Sequence, residues 1–395
     1  MNNKNGLGFT SRVQNTQQHF VPDRLRQLRI ALGFSTVDFS ERIGVSRQAL
    51  NQFETSRTVP GYETLQRIEA ETGFPVGYFF KTISPTNEGP FLFRANRTSL
   101  KKTKEMSRFI MLQMQETHEY FSNFLDFKEP NIPPIEFDIN SSIDDIEDIA
   151  VATRKFWGLG LGPISHVLRL LENNGIVISQ VEQRLDKIDA FSQWRNGVPL
   201  ILVGSAEFSA CRLRLNAMHE FAHLLLHTDA EYEEKANTSK EFYDLLEQQA
   251  YRLSGAFLLP RESFLDELYS TSLQHLIELK KRWGVSLAAI VRRCKDLEVI
   301  TESRYELLMR QIKKHGKTEP LDDVIEKERP TVFSQAADLI SEHGIKTPQE
   351  MIDEMRLPRR LLETIVGVED GYFSGKSESG KIVNLRSFNK NKANM

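Results

Sequence analysis

Apolar residues recur every three to four positions over most of this chain, the spacing of helices with one buried face. Near the N-terminus the pattern predicts four short helices, at residues 23–32, 36–43, 47–55 and 62–72. They are parted by Gly33, by Gly44-Val45-Ser46 and by Pro60-Gly61. A long Met- and Phe-rich helix is expected over 106–127, and Pro130, Pro133 and Pro134 then interrupt the pattern across 129–139. Ser142-x-x-Asp145 is a capping signal for a helix over 143–157, and another helix over 163–173 closes at Asn174-Gly175. Strand-like runs follow at 176–181, 188–194 and 198–203, the last two joined by the hairpin turn Asn196-Gly197. Residues 215–227 form an apolar run without Gly or Pro, and 247–260 keeps helical spacing until Pro260.

Helical spacing returns after Pro260. Gly284-Val285-Ser286 sits inside 281–293 as the turn of a second helix-turn-helix-like pair, which we read as a structural element. An acidic, Pro-bounded linker covers 319–330, and 332–368 reads as a small helical unit. The expected class is α+β, mostly α. The expected divisions are a mobile N-terminus (1–21), a helical module (22–82), a connecting helix and Pro-rich linker (83–140), a core with the small sheet (141–262), a helical extension (263–318), a C-terminal helical unit (319–373) and a mobile tail (374–395).

Composition narrows the function classes. At 395 residues, 40 % hydrophobic and 27 % charged, the chain is long enough for two or three globular domains. A net charge of −3 gives no overall attraction to nucleic acid, so DNA binding needs a local surface. One local candidate is the basic run Arg94, Arg97, Lys101, Lys102, Lys104 and Arg108, read either as a solvated face or as a phosphate contact. Two cysteines, Cys211 and Cys294, exclude a disulfide framework and a Cys-rich zinc site. Neither a membrane-length apolar run nor a signal-peptide core is present, so a cytoplasmic location and no membrane partner are expected.

The strongest chemical signal is His219-Glu220-x-x-His223 within the apolar run. Residues four apart share a helix face, so both imidazoles reach one metal ion, and two neutral imidazoles suit zinc. Glu220 is placed to take a proton from water polarised by the metal. His227 lies roughly 12 Å along a straight helix from His219, too far to share the ion, so it is expected to pack or hydrogen-bond beside the site. The third ligand then comes from a later element. Asp229, Glu231, Glu233 and Glu234 follow closely but read as a solvated charged run. Glu247 is better placed, on a face with Ala250 and Ser254 that a neighbouring helix can approach.

His219-Glu220-x-x-His223-x-x-x-His227, followed by Glu-x-x-Ala-x-x-Leu-Ser-x-x-Phe-Leu-Leu-Pro from Glu247, resembles the ImmA/IrrE family of bacterial metallopeptidases. The resemblance implies a zincin-like domain with His219, His223 and Glu247 as zinc ligands and Glu220 as general base. It also implies an edge strand beside the zinc helix that holds the substrate backbone, a role we assign to 198–203. Phe191 and Trp194 are read as pocket lining or plain core.

Arg26-x-x-Arg29-x-x-x-Gly33, Gly44-Val45-Ser46, Phe53-Glu54 and Pro60 resemble the Xre-type helix-turn-helix domain, a five-helix fold. That resemblance implies a recognition helix over Arg47–Glu54, with Ser46, Arg47, Gln48 and Asn51 facing the major groove of double-stranded operator DNA.

The combined expectation is a cytoplasmic zinc endopeptidase fused to a DNA-binding domain. By resemblance it regulates transcription, in a stress-response, mobile-element or toxin–antitoxin setting, by cleaving an Xre-type repressor, an antitoxin or another protein partner. The alternative is a transcription factor whose zinc domain senses without cutting. The long helix at 106–127 is also a candidate for pairing two subunits into a homodimer.

Overall fold

Hydroxyl side chains start most of the helices. Ser35, Ser46, Ser142, Ser209, Ser239, Ser272, Ser286, Thr301 and Thr347 each accept a hydrogen bond from the backbone N–H three residues on. Each satisfies a helix-end donor that would otherwise stay unpaired. The computed structural model describes residues 19–92, 98–181, 190–204, 209–314, 316 and 318–374. The expected mobile ends therefore fall almost wholly outside the described residues, as do Arg94, Arg97 and Ile188.

Contacts divide the chain into one unit of residues up to 29 with 34–84, and another of residues 30–33 with 85–395. The first carries α1 (Pro22–Ala31), α2 (Thr36–Arg42), α3 (Arg47–Glu54) and α4 (Tyr62–Thr72), with a short 3-10 helix, Val76–Phe80, as its fifth helical element. Leu25, Leu28, Phe39, Ile43, Leu50, Leu65, Ile68 and Phe79 form its core. A bidentate ion pair, Arg29 to Glu54 at 2.6 and 2.9 Å, is buried between α1 and α3.

The second unit contains α5 (Thr98–Ser122), α6 (Ile143–Phe156), α7 (Val167–Asn173), β1 (Val177–Val181), β2 (Ala190–Arg195) and β3 (Val198–Gly204). Then come α8 (Ala210–Leu226), α9 (Glu231–Thr238), α10 (Lys240–Leu258), α11 (Arg261–Glu267), α12 (Leu273–Trp283), α13 (Leu287–Asp296) and α14 (Glu302–Lys313). The last three helices are α15 (Val332–Glu342), α16 (Pro348–Met355) and α17 (Arg359–Val366).

The strand order is β1-β3-β2, with β1 parallel and β2 antiparallel to β3. Asn196 and Gly197 both take positive φ, 49° and 79°, as a tight hairpin turn requires. Side chains alternate across the sheet. Ile178, Ile201 and Val203 join the core around α7 and α8, while α5 and α17 pack against the sheet as well. On β1, Ser179 points away from that core and donates to the Ile365 carbonyl of α17 at 2.8 Å.

Four expectations are corrected here. β3 (198–204) is the central strand, paired on both sides, so it cannot take up a substrate strand; β2 is the edge next to α8. The connecting helix is no linker: Phe109, Ile110, Met111, Leu112, Met114 and Phe121 of α5 are buried against β2, β3, α15 and α17. Those residues are therefore not free to pair a second subunit. The helix expected from Pro163 begins only at Val167, where Glu328 accepts the N–H groups of Val167 and Leu168. In return Glu172 accepts those of Thr331 and Val332 at the start of α15, which stitches the C-terminal helices onto the core.

The second helix-turn-helix-like pair, α12 and α13, lies against the core through Leu276, Leu279, Trp283, Leu287, Ile290 and Val291. Gly284 holds φ 62° between them, with the Arg214 guanidinium where a Cβ would stand. Among the described residues no helix is long and apolar enough to cross a membrane.

Candidate metal centre

α8 is apolar nearly all round and almost wholly buried, as an interior helix must be. Arg214, His219, Glu220 and His223 are polar residues buried on it, and each histidine is 8 % exposed. One turn apart, the two histidines bring Nε2 of His219 and Nε2 of His223 to 3.1 Å. α10 packs between α6 and α8. Its small residues Ala250 and Ser254 are fully buried and allow close approach. Glu247 sits one turn before Ala250, with Oε2 3.5 Å from His219 Nε2 and Oε1 3.4 Å from His223 Nε2. For zinc bonds of about 2.0–2.1 Å, neighbouring donors in a tetrahedral shell stand about 3.3 Å apart. The three observed spacings bracket that figure, and two imidazoles with a carboxylate are a donor set that suits zinc. Among the described residues, this trio is the cluster of histidines and acids spaced to hold an ion.

The carboxylate of Glu220 is buried beside the trio and accepts a hydrogen bond from Ser192 Oγ on β2 at 2.7 Å. Burial pushes its pKa up, although the neighbouring His223 and His219 and the serine pull the other way. For Glu247 burial also acts upward, but the adjacent His219 and His223 outweigh it and hold the carboxyl well below its usual range. Burial likewise works against protonation of His219, and Glu247 overcomes it to raise the imidazole. Tyr243 donates to Glu247 and is itself pushed up, first by burial and then by that carboxylate. The ring of Tyr251 lies 4.2 Å from that of His219 and is half exposed.

His227 is the C-cap of α8, where the helix stops, and is 2 % exposed. Its Nδ1 is 2.9 Å from His223 Nδ1, and its Nε2 is 3.0 Å from Gln249 Oε1. The amide nitrogen of Gln249 donates to the Ile139 carbonyl at 2.8 Å. Burial, then the neighbouring His223, lowers the His227 pKa to about 3.

These groups open onto a cleft of about 990 Å³, whose lining includes Phe191, Ser192, Trp194, Tyr243 and Tyr251. Trp194 is anchored there by its indole N–H to the Leu224 carbonyl at 2.9 Å. The chain's own residues 87–90 run antiparallel beside the end of β2. Gly89 N–H donates to the Trp194 carbonyl, and Asn196 N–H donates to that of Asn87. By the alternation of an antiparallel strand, Ala190 and Ser192 turn their backbone groups to the same outer edge. Phe91 stacks on Phe191, 5.6 Å between ring centroids.

The acidic run after His227 does not join the trio. Glu231, Glu233 and Glu234 form the start of α9, and Glu233 pairs with Lys104 and Arg108. Those two members of the basic run are thus engaged inside the molecule. Both thiols are buried and pushed up to about 11, far from nucleophilic at neutral pH. In the first unit Ser46, Arg47, Gln48 and Asn51 are all exposed on one side of α3, with Ser46 also capping the helix through Ala49 N–H at 3.1 Å. Spacing alone did not single out Ser192, Gln249 or Ile139. Their roles depend on which elements meet, and a serine in a strand carries no local mark.

Residues 171–295 match the family described as IrrE N-terminal-like domain, Peptidase_M78, and residues 25–79 match the family described as Helix-turn-helix, HTH_3. The second match spans α1 to α4 and the 3-10 turn; the first contains His219, Glu220, His223 and Glu247. No curated protein matches the chain.

Proposed function

We propose that the chain is a zinc endopeptidase joined to a DNA-binding domain, and that it regulates transcription by cutting a protein partner. The observation that carries this reading is Glu220: a buried carboxylate with its own hydrogen-bond donor, beside three donors at metal spacing. A metal that only braced a fold, or only sensed, needs no adjacent base.

His219, His223 and Glu247 would hold the ion, which when bound supplies a Lewis acid that acidifies water and polarises a carbonyl. Ser192 fixes Oε2 of Glu220, which leaves Oε1 to take the proton from the attacking water. Burial favours the protonated carboxyl, so Glu220 retains that proton until the leaving amine nitrogen accepts it. A substrate segment adds to the β2 edge at Ala190 and Ser192 by backbone hydrogen bonds, and residues 87–90 already occupy the edge at Trp194. Ser192 then serves twice, with its backbone at the substrate and its hydroxyl on the base.

The substrate we favour is a small Xre-type repressor or antitoxin. Such a target meets the peptidase at the operator if α3 reads the same DNA through Ser46, Arg47, Gln48 and Asn51. The test pairs purified chain with small Xre-type helix-turn-helix proteins as candidate substrates. Wild type with zinc should cut one of them and Glu220→Gln should not, while both keep the metal. Equal cutting by both, or regulation in cells that Glu220→Gln leaves intact, would contradict the reading.

A further inference from the structure

We propose that His227 and Gln249 are positioning residues that set the tautomer of His223, and that the backbone carbonyl of Ile139 dictates the setting. The inference rests on the metal site proposed above but concerns only this chain's own protons. A backbone carbonyl can accept and never donate. Gln249 therefore presents its NH₂ to Ile139, at 2.8 Å, and has to turn its oxygen toward His227. That oxygen, 3.0 Å from His227 Nε2, also only accepts, so His227 carries its proton on Nε2. The Nδ1 of His227 is left with a lone pair, 2.9 Å from His223 Nδ1, and His223 has to supply the proton of that bond. His223 consequently keeps its Nε2 lone pair free, on the atom that stands 3.1 Å from His219 Nε2 and 3.4 Å from Glu247.

Three donors, His223, His227 and Gln249, thus run one way to the Ile139 carbonyl, and that acceptor fixes every direction. The donor chain is also anchored outside the motif. Ile139 precedes α6, Gln249 lies on α10 two residues after Glu247, and His227 closes α8. Phe137 and Tyr232 pack on the His227 ring with centroids 6.0 and 6.3 Å away, which holds the imidazole in the plane of the chain. His219 has no equivalent: its Nδ1 is buried without a hydrogen-bond partner among the described residues. The two histidine ligands are therefore unequal, and His223 is the one prepared in advance.

Two measurements test this, neither of which needs proteolysis. Long-range ¹H–¹⁵N spectra of the metal-free full chain, at a pH where the histidines are neutral, should show the His223 proton on Nδ1 and the His227 proton on Nε2. The reverse placement on His223 overturns the proposal, even if the protein never binds zinc. Zinc affinity by chelator competition gives the second readout. His227→Leu should lose roughly 10–100-fold, the usual range for a group that orients a ligand. His227→Asn should recover most of that loss, because its amide oxygen takes the place of Nδ1 as acceptor. Gln249→Leu, which frees His227 to rotate its proton, should fall between. Equal affinity in His227→Leu and wild type, or no recovery in His227→Asn when both variants are folded, would count against the relay.

Discussion

At the scale of single residues, the site depends on small groups whose neighbours give them their role. Ser192 is an unremarked strand residue in the sequence, yet its hydroxyl is the hydrogen-bond donor to Oε2 of Glu220. A hydrogen bond to a charged group contributes about 1.5–3 kcal/mol. Ser192→Ala should therefore lower kcat by about tenfold or more with KM and zinc content unchanged. Ser192→Thr should retain much of the rate. Steady-state kinetics on a peptide substrate decide it, and an unaltered kcat in the alanine variant would remove Ser192 from the mechanism.

A second residue-scale case lies in the first unit. Ser56 follows the exposed helix α3 with φ 62°, a left-handed conformation that costs a side-chain-bearing residue about 1 kcal/mol. Ser56→Gly should stabilise that unit by up to this amount, read as a shift in the denaturation midpoint. The histidine pair and Glu220 were legible from their spacing because a helix fixes which residues share a face. Glu247 was one of several open choices on spacing alone, since the distance between two helices is not written in either of them.

At the scale of elements, buried charge ties α6 to α10 and α13. The Glu147 carboxylate of α6 meets Arg293 Nη2 at 2.7 Å and Arg252 Nε at 2.6 Å, with Arg293 1 % exposed on its side chain. Removing one partner of such a network strands the others, at a cost of about 3–5 kcal/mol. Glu147→Ala should lower stability by that order at neutral pH. Burial acts to raise the Glu147 pKa, but Arg293 overcomes it and the carboxyl titrates below its ordinary 4.5. A carboxyl depressed in the folded state contributes stability above its unfolded value, and this is lost as pH falls through the folded one. The gap between wild type and Glu147→Gln should therefore hold above about pH 4.5 and narrow below it; urea midpoints across pH 3–7 would show a constant gap if the account were wrong.

The hairpin at Asn196-Gly197 and the capping box at Ser142 were readable because both are local. The place of β3 at the centre of the sheet was not, because strand order depends on β1 returning to pair with it in parallel. The burial of α5 was half-written in its Met and Phe content. Its Gln113, Gln115 and Glu116 are buried as well, which their polar chemistry does not announce.

At the scale of the molecule, the described residues divide near Ser84, and those from Pro85 onward form one compact unit to which the Pro-rich segment and the C-terminal helices belong. Phe109, Ile110, Met111, Leu112, Met114 and Phe121 of α5 are buried there, each contributing about 1.5–3 kcal/mol. Together these six match or exceed a whole domain's net stability of about 5–15 kcal/mol. A fragment beginning at Pro85 should fold cooperatively and bind zinc, whereas one beginning at Ser141 also lacks Ile139 and should not fold. Thermal melts followed by circular dichroism separate the outcomes, and a stable fragment from Ser141 would show α5 to be dispensable. The prolines that suggest a linker instead belong to a packed segment, whose Ile132, Ile135 and Phe137 lie against the core. The central claim is that one zinc ion is held by His219, His223 and Glu247, and metal analysis of the purified chain tests it most directly. About one zinc per chain is predicted, lost in His223→Ala and weakened in Glu247→Ala. Unchanged zinc in His223→Ala would contradict the account.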